Sequence, residues 1–172
     1  LGLEYELMGQ TGAAISFYLR TAERTNDDTL QYESLLRMAL CFERQRTRDD
    51  TQKVLLQKAI SLIMDRPEAH FLLARAHERK QEYHEGWSVV NIALRVCRWD
   101  HPGLLHLYVH LMEMSPFPQR ALRQGDRLRE LVPESGHLVH MPTHLDVLCG
   151  NYRDVVVYNQ KAVEVDRKYL AR

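Results

Sequence analysis

"RPEAHFLLARAHERKQEYHEGWSVVNIALRV", residues 66–96, decides how this chain is read. Apolar residues recur at helical spacing on both sides of a polar stretch, which predicts helix, short turn, helix. Residues 135–165, "SGHLVHMPTHLDVLCGNYRDVVVYNQKAVEV", fall on the same frame, with Tyr152 in the place of Tyr83 and Ala162 in the place of Ala93. Between them, "PGLLHLYVHLMEMSPFPQRALRQGDRLRELVP" (102–133) fits the frame again, with Ala121, Leu128 and Pro133 where they are expected. Self-similarity at a fixed period marks a stacked repeat.

One position of the second helix carries the period. Thr21, Ala59, Ala93, Leu128 and Ala162 stand there, 38, 34, 35 and 34 residues apart. Mostly small side chains at that place let helix axes approach closely. No single hairpin buries its apolar face alone, so stacking builds the core. The longer first step points to "ERQRTRDD" (43–50) as a lengthened helix–helix turn, and the extra residue of the third step falls in "RWDHPG" (98–103). Asp28 with Gln31, and Asp49 with Gln52, have capping-box spacing with Asp as the cap. Pro118 suits a first helical turn, and Pro133 and Gly136 punctuate a repeat boundary.

This pattern resembles the tetratricopeptide repeat (TPR). Gly2, Tyr5, Gly9, Ala14, Tyr18 and Thr21 match its motif in the first repeat; Ala74, Gly86 and Ala93 do so in the third, and Gly150, Tyr152 and Ala162 in the fifth. The resemblance covers nearly the whole chain. It implies an all-α fold, an α-solenoid of about five helix-turn-helix repeats in a right-handed superhelix with a concave groove. Residues 1–172 then form one array: a partial repeat over 1–28, repeats over 29–66, 67–101, 102–135 and 136–169, and the start of another at 170–172. The N-terminal half, "GAAISFYLRTAERTNDD" through "RPEAHFLLARAHER", is similar to TPR segments found beside glycosyltransferases. The C-terminal half, with its His-rich helix pair, is similar to bacterial TPR proteins of unassigned function. No glycosyltransferase catalytic motif lies within the chain.

Composition narrows the function. Lys plus Arg and Asp plus Glu are 23 each among 172 residues, so no basic surplus tracks phosphates and nucleic acid is not an expected partner. No apolar run reaches membrane-spanning length, and no signal-peptide pattern opens the sequence. Cys41, Cys97 and Cys149 are odd in number and far apart. That points to small buried hydrophobes in a reducing compartment, with the cytoplasm as the expected location. The first helix starts part-way through a repeat and "DRKYLAR" (166–172) runs toward another. The expectation is a piece of a longer array, or a unit that self-associates through open repeat ends.

Candidate function rests on the histidines of "HLYVHLME" (106–113) and "HLVHMPTH" (137–144). If Pro67, Pro102 and Gly136 each start a repeat, His106 and His110 take the fifth and ninth positions, and His140 and His144 the same positions one repeat later. Residues four apart share a helix face. The TPR resemblance implies that positions two, five, nine and twelve of the first helix line the concave groove. The groove residues would be Glu33, Arg37, Phe71, Arg75, Glu78, His106, His110, His137, His140 and His144. A wall so rich in Arg and His would suit a protein or peptide ligand bearing carboxylates. His-x-x-x-His is also a ligand spacing, so His106, His110, Glu113, His140 and His144 are candidates for zinc or another transition metal. No other cofactor is expected. With a metal-bound water, Glu113 would be the general base of a hydrolase. No HExxH, nucleophile elbow or phosphate-binding glycine loop occurs, so a binding scaffold is expected rather than an enzyme.

Pro142 breaks the first helix of its repeat or delays its start, and frees the carbonyl of Leu138. Asp146 is a candidate to orient an imidazole. His70 and His77 read as half-buried packing residues and Trp87 and Trp99 as packing residues; His84 and His101 read as solvent-facing, and "RQGDRLRE" (123–130) as a solvated helix face.

Overall fold

The computed structural model describes residues 1–46, 48–97 and 101–171, and every regular element among them is helical. In chain order these are α1 (Gly2–Leu7), α2 (Thr11–Arg24), α3 (Asp28–Gln45), α4 (Asp49–Leu62), α5 (Pro67–Arg79), α6 (Tyr83–Val96) and α7 (Pro102–Glu113). A single 3-10 turn (Pro118–Ala121) follows, then α8 (Leu122–Leu131), α9 (Gly136–His140), α10 (Thr143–Cys149) and α11 (Tyr152–Leu170). Neighbours in the chain pack on one another within each stretch: α1 to α5 in succession, then α6 on α7, α7 on α8, and α9 and α10 on α11. Two compact units result, Leu1–Glu82 and Tyr83–Arg172, divided in the turn between α5 and α6.

The repeat register is written in burial. Ala59, Ala93 and Leu128 are fully buried and Ala162 nearly so. Two further positions keep the same spacing: Ala14, Gln52, Gly86 and Ala121, and Tyr18, Leu56, Val90 and Gly125, all buried. Thr21 is only half-buried; its hydroxyl donates to the Phe17 carbonyl at 2.9 Å, and Ala22 beside it turns inward instead. Gln52 is polar where its counterparts are small, and its Oε1 accepts from Arg79 Nη2 at 2.8 Å.

In the first unit, Ala14, Tyr18, Met38 and Cys41 form a core against which Tyr5, Ile15 and Leu55 pack. Buried Glu6 ties α1 to its neighbours, accepting from Tyr18 Oη at 2.8 Å and from Arg44 at 2.8 Å. Burial, and then the Glu6 carboxylate, push the Tyr18 phenol up to about 12. In the second unit, α7 supplies Leu104, Leu105, Leu107, Tyr108, Val109, Leu111 and Met112 to the interior.

Three local expectations are corrected. The four extra residues near 43–50 do not lengthen a turn; they lengthen α3, which has 18 residues against 13 in α5 and 12 in α7. Four residues are close to one helical turn, so the helix grows without rotating its buried face. The cap of α3 is Asp27, not Asp28: Asp27 Oδ1 accepts from the amides of Thr29 and Leu30 at 2.8 and 3.0 Å. Gln31 is drawn away to the Ala22 carbonyl. The first residue of α4 follows Arg48 in the left-handed region, and Asp49 pairs with Lys80 at 2.8 Å rather than capping. The Lys80 hydrogen bond holds the Asp49 carboxyl below the usual range. The extra residue assigned to 98–103, and Trp99 with it, fall partly outside the described residues.

An N-cap side chain contributes about 1 kcal/mol to its helix. Asp27→Ala is therefore expected to lower the free energy of urea unfolding by about 1 kcal/mol, and Asp28→Ala by clearly less. A larger loss from Asp28→Ala would reverse the cap assignment.

Candidate functional site

The helix α7 is apolar on nearly every side, and His106, His110 and Glu113 occupy its open stripe, half-buried. Beside it, the segment 136–149 is one helical course in two pieces. Pro142 has no amide hydrogen and cannot reach the Leu138 carbonyl, so α9 ends at His140 and α10 begins at Thr143. Met141 and Pro142 stay in the right-handed region, so the phase of the side chains survives the break.

The break is held from outside. Gly125 of α8 faces the proline ring, and a Cβ built there would meet Pro142 Cβ at 2.8 Å. One turn along α8, Arg129 donates from Nε to the Val139 carbonyl at 3.4 Å and from Nη2 to Asp146 at 2.5 Å. Its guanidinium also lies 3.7 Å from the Tyr158 ring centroid. Arg129 and Asp146 are both buried, 5% and 3% exposed. Two expectations are corrected here. Residues 123–130 are a solvated face only in part, since Arg123, Asp126, Arg127 and Glu130 are exposed while Gly125, Leu128 and Arg129 point inward; and Asp146 partners Arg129 and the Asn151 amide rather than an imidazole.

The histidines form two strings. In one, Glu113 Oε1 accepts from His144 Nδ1 at 2.9 Å, His144 Nε2 meets His140 Nε2 at 3.1 Å, and His140 Nδ1 meets Asn159 of α11 at 2.6 Å. In a neutral His144 the carboxylate holds the proton on Nδ1, and Nε2 is then a lone pair that accepts from His140. A neutral His140 then shows a bare Nδ1, which the Asn159 amide group satisfies with its NH2; a protonated His140 donates to Oδ1.

In the other string, His106 Nε2 lies 3.2 Å from His110 Nε2 and 3.1 Å from His137 Nε2. One imidazole nitrogen offers one proton or one lone pair, so it serves one of these partners. The other is left with hydrogen-bonding capacity for an incoming group. Burial first, then His110 and His137, hold the His106 imidazole down to about 4, so it is neutral at pH 7.

Both cross-helix pairs, His106–His137 and Glu113–His144, are 31 residues apart. Contacts therefore fall about one turn short of the repeat. His106 and His140, equivalent by repeat, belong to different strings. Among the described residues no three His, Cys, Asp or Glu side chains converge as ligands of one metal ion. Of the proposed metal set, Glu113 approaches His144 on the ring edge opposite His140.

The remaining groove candidates lie in the first unit, and Glu33, Arg37, Phe71 and Arg75 are already engaged. Glu33 pairs with Arg66 at 2.6 Å, Arg37 lies 3.8 Å from Glu6, and Arg75 lies 3.4 Å from Glu43 and 5.5 Å from the Phe71 ring centroid. Glu78 is half-buried near the end of α5. His70 is buried with Nε2 at 2.8 Å from the Met64 carbonyl, and burial lowers its pKa. His77 contacts Glu82 at 2.6 Å. His84 is exposed as expected, but His101 is not merely a surface residue: its Nδ1 accepts from the Leu104 amide at 3.2 Å and caps α7.

Helical hairpins repeating at this period, with small buried residues in register, define a tetratricopeptide-type helical repeat, and solved structures carry the same fold. The chain is similar to MamA (TM-score 0.83, 15% identity, 100% of this chain and 98% of that one covered). It is similar to residues 41 to the end of MamA from Desulfovibrio magneticus RS-1 (0.78, 12%, 97% and 92%). It is also similar to YrrB, described as a TPR protein with an unusual peptide-binding site (0.74, 11%, 98% and 84%). No protein-family model and no curated protein matches the sequence.

Two predictions follow from the geometry. Arg129→Met strands a buried carboxylate and is expected to cost about 3–5 kcal/mol in urea unfolding; adding Asp146→Leu should recover a large part of that loss. For His106, the folded-state pKa lies below the ordinary imidazole value of 6.5. The folded chain thus binds fewer protons than the unfolded one between those values, and stability present above about pH 6.5 is lost as pH falls toward 4. His106→Gln should reduce the drop in urea midpoint between pH 7 and pH 4.5, and NMR titration should place the His106 ring near 4.

Proposed function

We propose that the chain is a protein-interaction scaffold, and that the histidine face of α7, α9 and α10 is a contact surface for an extended peptide or partner helix. The observation that carries this reading is the His110–His106–His137 string, where three imidazole nitrogens compete for one hydrogen bond on a half-open face. A peptide carbonyl or amide can take the capacity left over. Support of a general kind comes from the fold, since similar helical repeats include a protein with a peptide-binding site. The ligand chemistry favoured is polar and hydrogen-bonding rather than strongly acidic. Arg37 and Arg75 already face carboxylates, and His106 is neutral.

A second reading has a specific observation behind it. His140 Nε2 and His144 Nε2 are 3.1 Å apart, near the edge length of a tetrahedral imidazole site, and Glu113 holds the far nitrogen of His144 as outer partners of metal ligands do. Zinc or another transition metal bound there would add an anchor for the same ligand.

Panning a random peptide display library against the chain tests the first reading. Selected peptides should lose at least about tenfold in affinity toward His110→Ala and toward His144→Ala, with helicity unchanged. A selection without binders, or binders indifferent to both changes, removes the assignment. Elemental analysis of protein purified without a His tag tests the second: less than about a tenth of an equivalent of transition metal would count against it.

A further inference from the structure

A cavity of about 380 Å³ opens in the second unit, away from the histidine strings. Its walls come from the start of α6 (Tyr83, His84, Trp87), the end of α7 (Leu111, Met112, Met114), the loop Ser115–Phe117, and Arg120 of the 3-10 turn. Most of the lining is apolar. Met114, Phe117 and Tyr83 are 68, 48 and 40% exposed, which is unusual for large apolar side chains grouped at one place.

The walls are preset. Trp87 sits beside Tyr108 and lies 6.2 Å from His84, ring centre to ring centre. The loop is closed by Ser115, whose Oγ donates to the Met112 carbonyl at 2.8 Å and accepts from the Phe117 amide at 3.1 Å. Charge at the rim is one-sided. The Arg120 guanidinium lies 4.7 Å from the Phe117 ring centroid. Among the described residues no carboxylate is in the lining and none forms an ion pair with Arg120. An apolar hollow with a single well-placed charge has the make-up of a ligand pocket. A guanidinium left over an aromatic ring keeps its outer N–H groups for a carboxylate.

We propose that this hollow is a second, separate docking pocket, which takes from a partner polypeptide one bulky apolar side chain flanked by a carboxylate. The side chain enters between Trp87, Leu111, Met112 and Phe117, and the carboxylate meets Arg120. The pocket shares no residue with the histidine face, so it stands or falls independently of that site.

Minimal dipeptides test it. Acetyl-Phe-Glu-amide, acetyl-Phe-Gln-amide and acetyl-Ala-Glu-amide are titrated into methyl-13C-methionine protein and followed by NMR. The Phe-Glu probe should saturably shift the methyl signals of Met112 and Met114 while leaving exposed Met8 and Met64 unmoved. The Phe-Gln and Ala-Glu probes should bind at least about fivefold more weakly. Arg120→Met should erase the preference for Glu over Gln, and Arg120→Glu should transfer it to acetyl-Phe-Lys-amide, with helicity and urea midpoint retained. Equal binding of the Glu and Gln probes, shifts confined to other methionines, or no shift at the solubility limit of the probe would each overturn the proposal. Strengthened binding of Phe-Lys to Arg120→Glu would secure the charge assignment even if the affinities are low.

Discussion

Close approach of helix backbones at one face of each second helix constrains everything else in this chain. Mostly small residues recur there at 34- and 35-residue steps, with the fully buried Leu128 as the exception, and small side chains let the axes approach closely. The constraint is strict enough that the one extra-long step is absorbed as a turn of helix in α3 rather than as loop. Adding four residues to a helix returns the chain to almost the same angular position; adding them to a tight turn would have changed where α4 begins. The register is thus conserved at the price of helix length, and Tyr18, Leu56, Val90 and Gly125 remain in step with it.

The second unit tolerates a proline inside a first helix because its neighbour was built around it. Gly125 clears space for the ring, and Arg129, a turn farther on, reaches both sides of the break through Val139 and Asp146. A buried ion pair is a doubtful source of stability by itself, since desolvation offsets much of the attraction. Its role here is geometric. It fixes α10 against α8 and α11 while leaving His137, His140 and His144 on a shared face, with the same 31-residue offset to α7 before and after the break.

Periodic features were legible in the sequence, and reciprocal ones were not. Hairpins, turns, the small-residue position and the open stripe of histidines all follow from spacing, because spacing alone sets which residues share a face. Asp27 against Asp28 is a choice between neighbours that depends on backbone angles at the helix start. Arg129 reads as surface because charged residues on a second helix usually are; only the carbonyl and carboxylate that Pro142 and Asp146 bring to it reverse that. His101 reads as a turn residue until its ring is seen to replace a missing carbonyl at the start of α7. Arg120 and Trp87 carry no motif at all, and the hollow they share with Phe117 exists only once α6, α7 and the 115–117 loop are assembled.

The histidine face shows the difference between equivalence and contact. Residues one repeat apart, such as His106 and His140, do the same job on successive helices, and from repeat spacing they look like partners. Successive helices are offset along their axes, so each side chain touches one that lies about a turn earlier on the next helix. His106 therefore meets His137, and Glu113 meets His144. That single turn decides the chemistry. With 106 against 140 and 110 against 144, four imidazoles would have closed on themselves, with Glu113 free to join a metal. With the observed offset, Glu113 is committed to orienting His144, and His106 is left between two rings that it cannot both satisfy.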